Sequence, residues 1–118
     1  MSTKQIVIGI VGPCKSGKST VRQGLEKAGY QANHIAQEHS YSPRMWQQIV
    51  NPDVLVFLDV SYLKTLERSD MNWSEKEYRE QQKRLAHARE HADINILTDD
   101  YSEQEVTLKI LDYLKDHG

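Results

Sequence analysis

Two short apolar runs constrain the fold of this chain more than any other feature of its sequence. Residues 6–11 read IVIGIV and residues 54–60 read VLVFLDV, and neither run alternates regularly between apolar and polar side chains. Continuous runs that are rich in β-branched residues are typical of strands buried on both faces, as in a parallel sheet covered by helices. The sequence therefore predicts an α/β protein.

The segments around these two runs predict helices and two weaker strands. Residues 31–37 are predicted as the second strand and residues 94–97 as the last. Apolar residues at helical spacing predict five helices, which follow Lys18, Ser42, Val60, Ser74 and Ser102. Ser42-Pro43 is typical of an N-cap followed by the first helical residue. Because strands alternate with helices, we expect one domain over residues 1–118, built as three layers: a parallel sheet of about four strands flanked by helices.

Two of these helices carry a start signal in the form of a capping box. Ser74 with Glu77, and Ser102 with Glu105, have the spacing at which each side chain bonds the backbone N–H of the other residue. The helix that follows Ser74 has only a thin apolar stripe, so we expect most of it to lie in solvent.

The residues between the first strand and the first helix form a phosphate-binding motif. They read GPCKSGKST and contain the pattern Gly-x-x-x-x-Gly-Lys-Ser. Between a buried strand and a helix, this pattern is the signature of a P-loop, whose backbone N–H groups and helix N-terminus surround the phosphates of a nucleotide. The predicted nucleotide contacts are Gly12, Pro13, Cys14, Lys15, Ser16, Gly17, Lys18, Ser19 and Thr20.

Three side chains of this loop receive specific interpretations. Lys18 is expected to bring a compact positive charge to the β- and γ-phosphates and so to act in catalysis, and the Ser19 hydroxyl is expected to bind Mg²⁺. Cys14 is the only cysteine of the chain and occupies a variable position of the pattern. We interpret it as a small filler, with a redox switch as the alternative.

Polar residues that follow the predicted strands complete the candidate site. Ligands of parallel sheets bind beyond the carboxyl ends of the strands, where Gly12, Glu38, Asp59 and Thr98 are expected. Glu38 is a candidate base that orients or deprotonates an acceptor hydroxyl, with His39 as an alternative base and a solvated loop glutamate as the other interpretation. Asp59 is either a Mg²⁺ ligand acting through water or a residue that caps the next turn.

The chain resembles the P-loop nucleoside and nucleotide kinase superfamily, as a shortened member. The resemblance rests on GPCKSGKST, on PDVLVFLDVS (residues 52–61) and on ADINILTDDYSEQEV (residues 92–106), which together span most of the chain. The second segment is similar to the strand before the mobile lid of thymidylate-kinase-like and deoxynucleoside-kinase-like enzymes. It is not the metal-binding strand of those kinases, which argues against Asp59 as a ligand. The third segment is similar to their adenine pocket, which implies nucleotide contacts for Thr98 and Asp99.

The resemblance further implies a lid-like polar helical segment at about residues 62–91. The arginines of this segment would neutralise the phosphoryl group during transfer, and they are Arg68, Arg79, Arg84 and Arg89. We assign Arg68 to nucleotide binding, and Arg84 and Arg89 to catalysis. The alternative for each arginine is a solvated side chain with an i,i+4 ion pair, such as Glu80–Arg84.

The expected function is therefore an ATP- and Mg²⁺-dependent phosphotransferase whose acceptor is a small nucleoside- or nucleotide-like molecule. These kinases usually carry a further strand with an Asp-Arg pair, and no such pair occurs between Glu38 and Asn51. Its absence favours the alternative, a non-catalytic or regulatory module that binds ATP or GTP.

Other features exclude further classes of function. The formal net charge is −2 and the basic residues are scattered, so we expect no nucleic-acid or membrane partner. The N-terminal apolar run is too short for a signal peptide or a membrane span, which predicts a cytoplasmic protein. The small core is compatible with a homodimer. His87 and His91 are interpreted as surface histidines, and Trp46 as a core residue.

Overall fold

The computed structural model describes residues 6–68 and 72–117, and within them one parallel sheet lies between two layers of helices. The sheet order is β2-β1-β3-β4, with β1 at Val7–Val11, β2 at Gln31–His34, β3 at Val54–Asp59 and β4 at Ile94–Leu97. The helices are α1 (Lys18–Lys27), α2 (Met45–Ile49), α3 (Tyr62–Arg68), α4 (Glu75–His91) and α5 (Glu103–His117), and Gln37–His39 form a 3-10 turn. The predicted α/β class, the parallel sheet and the number of strands are confirmed.

Residues 69–71 fall within the lid-like segment predicted at residues 62–91, and they lie outside the described residues. Among the described residues, no helix combines the length and the apolar character that crossing a membrane requires.

The central strand β3 shows why its sequence does not alternate. Val54, Val56 and Leu58 point to one face of the sheet and pack against α1 and α5, whereas Leu55 and Phe57 point to the other face and pack against α2 and α4. Successive side chains of a strand lie on opposite faces, and here both faces are covered. An apolar side chain is therefore needed at each of the five buried positions 54–58.

Two boundaries differ from the sequence prediction. β2 ends at His34 rather than at residue 37, because the chain turns at Gln37. The Gln37 side chain is fully buried, donates to the Ser42 carbonyl and accepts from Trp46 N–H. The helix predicted to start at Ser42-Pro43 starts at Met45 instead, and the Ser42 carbonyl accepts the Met45 N–H in the preceding turn.

Both capping boxes form as predicted. The Ser74 hydroxyl accepts from Glu77 N–H while the Glu77 carboxylate accepts from Ser74 N–H. Ser102 and Glu105 make the same pair of bonds at the start of α5. The expected apolar stripe of α4 is present, with Leu85 and Ala88 fully buried against the sheet.

The register of the sheet brings the polar residues of the candidate site to one edge. Val11 is paired with Phe57, and Asp59 with Leu97, so that all four parallel strands end at the same side. The segments that follow these strands begin at Gly12, Ile35, Val60 and Thr98.

Candidate functional site

The glycine-rich loop at residues 12–17 connects β1 to α1 and is tightly curled. Gly17 is the N-cap of α1 and has a left-handed backbone, with φ of 96° and ψ of 18°. Gly12 lies so close to β3 that a Cβ atom there would be 2.1 Å from the Leu58 carbonyl oxygen. Glycine is therefore required at Gly12 by close approach of two backbones, and it is favoured at Gly17 by backbone conformation.

The Lys18 side chain folds back over this loop. Its ammonium group donates to the Gly12 carbonyl at 2.6 Å and to the Pro13 carbonyl at 2.9 Å. It also lies 3.0 Å from Glu38 Oε2, and both side chains of this ion pair are 5% exposed. The sequence expectation that Lys18 and Glu38 share one site is met in the geometry, since the 3-10 turn carries Glu38 to the loop.

Two buried polar atoms near the loop have no hydrogen-bond partner within the described part of the chain. They are Glu38 Oε1 and Ser16 Oγ. A buried polar group without a partner costs about 1–3 kcal/mol. Such groups beside a curled loop are what a polar ligand would satisfy.

Gln81 of α4 holds the loop from the other side, and the sequence analysis did not find it. Its Oε1 accepts from Cys14 N–H at 3.0 Å and its Nε2 donates to Cys14 Sγ at 3.1 Å. Gln81 is four residues before Leu85 and seven before Ala88, so it lies on the buried stripe of the helix. A polar residue on an apolar stripe is the sequence signal that could have identified it.

Arg84, also on α4, lies beside Glu38. Its guanidinium donates to the Glu38 backbone carbonyl at 3.3 Å and stacks over the Tyr41 ring, 4.4 Å from the ring centroid. Arg84 Nε is buried and has no hydrogen-bond partner among the described residues. The predicted i,i+4 pair with Glu80 has a separation of 4.0 Å.

Arg68 connects the loop to the end of β4. It donates to the Lys15 carbonyl at 2.9 Å and to the hydroxyl and carbonyl oxygens of Thr98 at 3.0 and 2.6 Å. Arg68 and Lys15 border an open pocket of about 530 Å³. Its lining residues are Lys15, Gly17, Arg68, Tyr101, Ser102 and Glu103.

Asp59 and Arg89 form an ion pair with each other instead of facing the loop. Arg89 donates to Asp59 Oδ2 at 2.8 Å and also bonds Gln82, and its guanidinium stacks on Phe57. The other carboxylate oxygen of Asp59 accepts from Val60 N–H at 3.0 Å. This arrangement favours the turn-capping interpretation of Asp59 over the metal-binding one. The guanidinium of Arg89 makes a structural contact here.

Three further residues that were predicted to bind the nucleotide or Mg²⁺ are Asp99, Ser19 and Thr20. Asp99 accepts from Ser61 N–H at 2.9 Å, and so it fixes the start of α3. Ser19 and Thr20 are exposed on the first turn of α1.

The aromatic and histidine residues near α4 form a separate cluster. Trp46 is buried, as expected of a core residue, and its indole N–H donates to His87 Nδ1 at 3.2 Å. The rings of His87 and His91 stack with centroids 4.2 Å apart. Partial burial, and next the nearby His91, lower the pKa of His87 below its ordinary value of 6.5.

In comparisons with known proteins, no family model matches this chain and no curated protein matches it at a significant level.

Proposed function

We propose that the protein binds the phosphates of ATP with its glycine-rich loop and transfers the γ-phosphate to a small nucleoside- or nucleotide-like acceptor. The observation that carries this proposal is the buried Lys18 ammonium, which lies against the Gly12 and Pro13 carbonyls at the mouth of a loop between a parallel strand and a helix. Loops of this sequence and setting act as P-loops.

The charge and shape of the loop fit a phosphate chain. The close backbone contact at Gly12 leaves no room for a side chain, and the N-terminus of α1 adds a positive dipole. The Ser16 hydroxyl, which has no hydrogen-bond partner in residues 6–68 and 72–117, supplies a polar contact inside the loop. Lys18 can exchange its two carbonyl contacts for phosphate oxygens, because its ammonium carries three donors on a flexible stem.

Mg²⁺ fits the exposed Ser19 hydroxyl at the start of α1, and when bound with the nucleotide it would neutralise charge on the phosphate oxygens. Asp59 is not included in this Mg²⁺ site, since both of its carboxylate oxygens already have partners.

On the acceptor side, we assign Glu38 the role of orienting the acceptor hydroxyl. Its Oε2 is held by Lys18, whereas Oε1 has no hydrogen-bond partner among the described residues and could accept a bond from that hydroxyl. A carboxylate that orients this hydroxyl, next to a lysine on the transferring group, supplies the positioning and charge stabilisation on which phosphoryl transfer depends. Arg84, which bonds the backbone of Glu38, adds positive charge at the same place.

Arg68 and the pocket beside it are suited to the other end of the nucleotide. The pocket extends from the loop to the start of α5, and a planar guanidinium at its wall can stack on a base.

A non-catalytic nucleotide-binding module is the second candidate, and one observation favours it. Of the two arginines that the sequence assigned to catalysis, Arg89 is paired with Asp59 and stacks on Phe57. Only Arg84 of the two thus lies beside Glu38.

Isothermal calorimetry with ATP, in the presence and absence of Mg²⁺, tests nucleotide binding. We expect Mg²⁺-dependent heat that is lost in Lys18→Ala and weakened in Ser19→Ala, whose altered side chain is exposed and should leave the fold intact. No heat from the intact protein at high nucleotide concentration would overturn the proposal. Release of ADP is then measured with a panel of nucleosides and nucleotides. Acceptor-dependent release supports the phosphotransferase, and binding without release supports the module.

A further inference from the structure

We propose that Cys14, Glu38 and His39 form a site for one transition-metal ion of the zinc type, distinct from the Mg²⁺ that accompanies a nucleotide. Among the described residues, these three are the group whose potential ligand atoms all lie within 4.8 Å of one another. The thiol comes from the glycine-rich loop, and the other two groups come from the 3-10 turn after β2.

The distances between the ligand atoms are close to those around a bound ion. Cys14 Sγ and His39 Nε2 are 3.8 Å apart, and His39 Nε2 lies 3.8 Å from Glu38 Oε2. Zinc binds sulfur at about 2.3 Å and imidazole nitrogen at about 2.0–2.1 Å, so two such ligands in a tetrahedral arrangement are about 3.6 Å apart. Cys14 Sγ and His39 Nε2 therefore need to approach by only about 0.2 Å, and the Glu38 ligand atom lies within 4.8 Å of both.

The carboxylate of Glu38 provides an independent indication of a ligand. The side chain is 5% exposed, and its Oε1 has no hydrogen-bond partner among the described residues. Oε2 lies 3.0 Å from the Lys18 ammonium and 3.8 Å from His39 Nε2, so an ion at this site shares Oε2 with Lys18, and its charge also acts on Oε1 of the same carboxylate. A buried carboxylate oxygen with no donor nearby is stabilised by a cation.

Surrounding groups orient the ligands and leave a path for the ion. Gln81 bonds both the backbone N–H and the sulfur of Cys14, and an N–H donor to a ligating sulfur is a common outer contact of metal sites. The His39 side chain is 60% exposed, so the ion reaches the site from solvent. With three protein ligands, water occupies the fourth position.

The charges at the site determine which ions are accepted. The Lys18 ammonium repels any cation. The Glu38 carboxylate is already paired with Lys18, so its single negative charge does not also neutralise a metal ion. Binding therefore depends on the Cys14 thiolate, whose proton is released to solvent as the sulfur–metal bond forms. Thiolate and imidazole favour zinc-type ions, whereas Mg²⁺ and Ca²⁺ require oxygen ligands. We expect the site to discriminate against both of these ions.

Cobalt titration of the untagged, metal-free protein without nucleotide tests this site. Co²⁺ takes the place of spectroscopically silent Zn²⁺, and a thiolate bound to it gives a charge-transfer absorption band. The chain has one cysteine, so any such band reports Cys14. We expect the band to saturate at one equivalent of Co²⁺, to be displaced by Zn²⁺ and to resist excess Mg²⁺. Because nucleotide is omitted, the result is independent of the proposed kinase or binding activity.

Three variants, with circular dichroism as the check on folding, complete the test. Cys14→Ser should abolish the band, and His39→Ala should weaken Co²⁺ affinity by at least about tenfold, since even outer contacts of metal sites contribute that much. His91→Ala is the matched control, because it removes an exposed histidine outside the site and should change nothing. The proposal is overturned if the intact protein shows no band or if His39→Ala binds Co²⁺ with the affinity of the intact protein. It is also overturned if the band forms only in a dimer whose two copies are joined by the metal ion.

Discussion

The Lys18 ammonium lies 3.0 Å from Glu38 Oε2, and this ion pair joins the first turn of α1 to the 3-10 turn after β2. Both side chains are 5% exposed. Removing one partner of a buried pair leaves an uncompensated charge, which typically costs about 3–5 kcal/mol, whereas removing both costs much less. The two charges therefore depend on each other for stability as well as for the proposed chemistry.

The two partners should respond unequally to substitution. In Glu38→Gln, Lys18 keeps its bonds to the Gly12 and Pro13 carbonyls. In Lys18→Met, the buried Glu38 carboxylate loses the only lysine or arginine side chain that the described residues place within 4 Å of it. We expect Lys18→Met to lower the free energy of unfolding by about 3–5 kcal/mol, Glu38→Gln to lower it less, and the double variant to be more stable than Lys18→Met. Urea denaturation measures all three. Additive effects of the two substitutions would contradict the coupling.

A methyl group at Gly12 should destabilise the fold through steric overlap. In Gly12→Ala the new Cβ would lie 2.1 Å from the Leu58 carbonyl oxygen, and this backbone atom cannot rotate away. Gly29→Ala is the control, because Gly29 has a left-handed φ of 95° but, apart from its two chain neighbours, none of the described residues has an atom within 4 Å of the added Cβ. The control should cost about 1–2 kcal/mol for backbone strain alone, and Gly12→Ala clearly more. Thermal unfolding of the two variants compares them, and equal losses would argue against close contact between the loop and β3.

Loss of the Arg68 guanidinium should weaken nucleotide binding, and it should also lower stability because Arg68 donates to the Lys15 and Thr98 carbonyls. Arg68 is exposed and borders the pocket between Lys15 and Glu103. Arg79→Ala is the matched control, since it removes a solvent-exposed pair with Glu75. We expect the Kd for MgATP to rise about tenfold in Arg68→Ala, the effect of one lost charge-assisted bond of about 1.5 kcal/mol, and to stay unchanged in Arg79→Ala. Calorimetry with both variants decides whether this pocket takes part in binding.

Substitution of Asp59 should separate its structural contacts from a metal-binding role. Asp59→Asn breaks a half-exposed pair with Arg89, in which the side chains are 23% and 41% exposed. Pairs this accessible contribute no more than about 1 kcal/mol. We expect Asp59→Asn to lose little thermal stability and to keep the full increase in ATP affinity that Mg²⁺ produces. In Ser19→Ala, Mg²⁺ should increase the ATP affinity less. If Asp59→Asn also abolished the effect of Mg²⁺, the metal-binding interpretation of Asp59 would be restored.

Acidification should weaken the cluster formed by Trp46, His87 and His91. His87 Nδ1 accepts the Trp46 indole N–H and must therefore be unprotonated. Partial burial, then the positive charges of His91 and Arg44, lower the pKa of His87, while Glu90 acts in the opposite sense. Because the folded-state pKa is depressed, the unfolded chain binds the proton more readily. The stabilisation is complete above about pH 6.5 and is lost as the pH falls through the folded-state pKa.

Thermal unfolding across this pH range measures the effect. The intact protein should lose stability more steeply on acidification than His87→Gln, which has no proton to bind at this position. Tryptophan fluorescence should change over the same interval. Parallel pH profiles of the two proteins would mean that His87 does not control this loss.

The sequence by itself determined the layers of the fold and the position of the loop. The apolar runs of β1 and β3 have no polar face, so both strands had to be central in a covered parallel sheet. The capping boxes at Ser74 and Ser102 act over four residues, and both were predicted correctly. Local patterns of this kind can be recognised in a sequence because the interacting residues are close in the chain.

Only the tertiary structure decided which polar side chains meet. Asp59 and Arg89 are 30 residues apart in sequence, and no local signal shows that they neutralise each other instead of facing the loop. The contact of Gln81 with Cys14 and the meeting of Cys14 with His39 likewise depend on how α4 and the 3-10 turn pack against the sheet. Charge and hydrogen-bonding capacity are readable from residue type, but partners are selected by distance, and distance across the chain is set by the packing of the core.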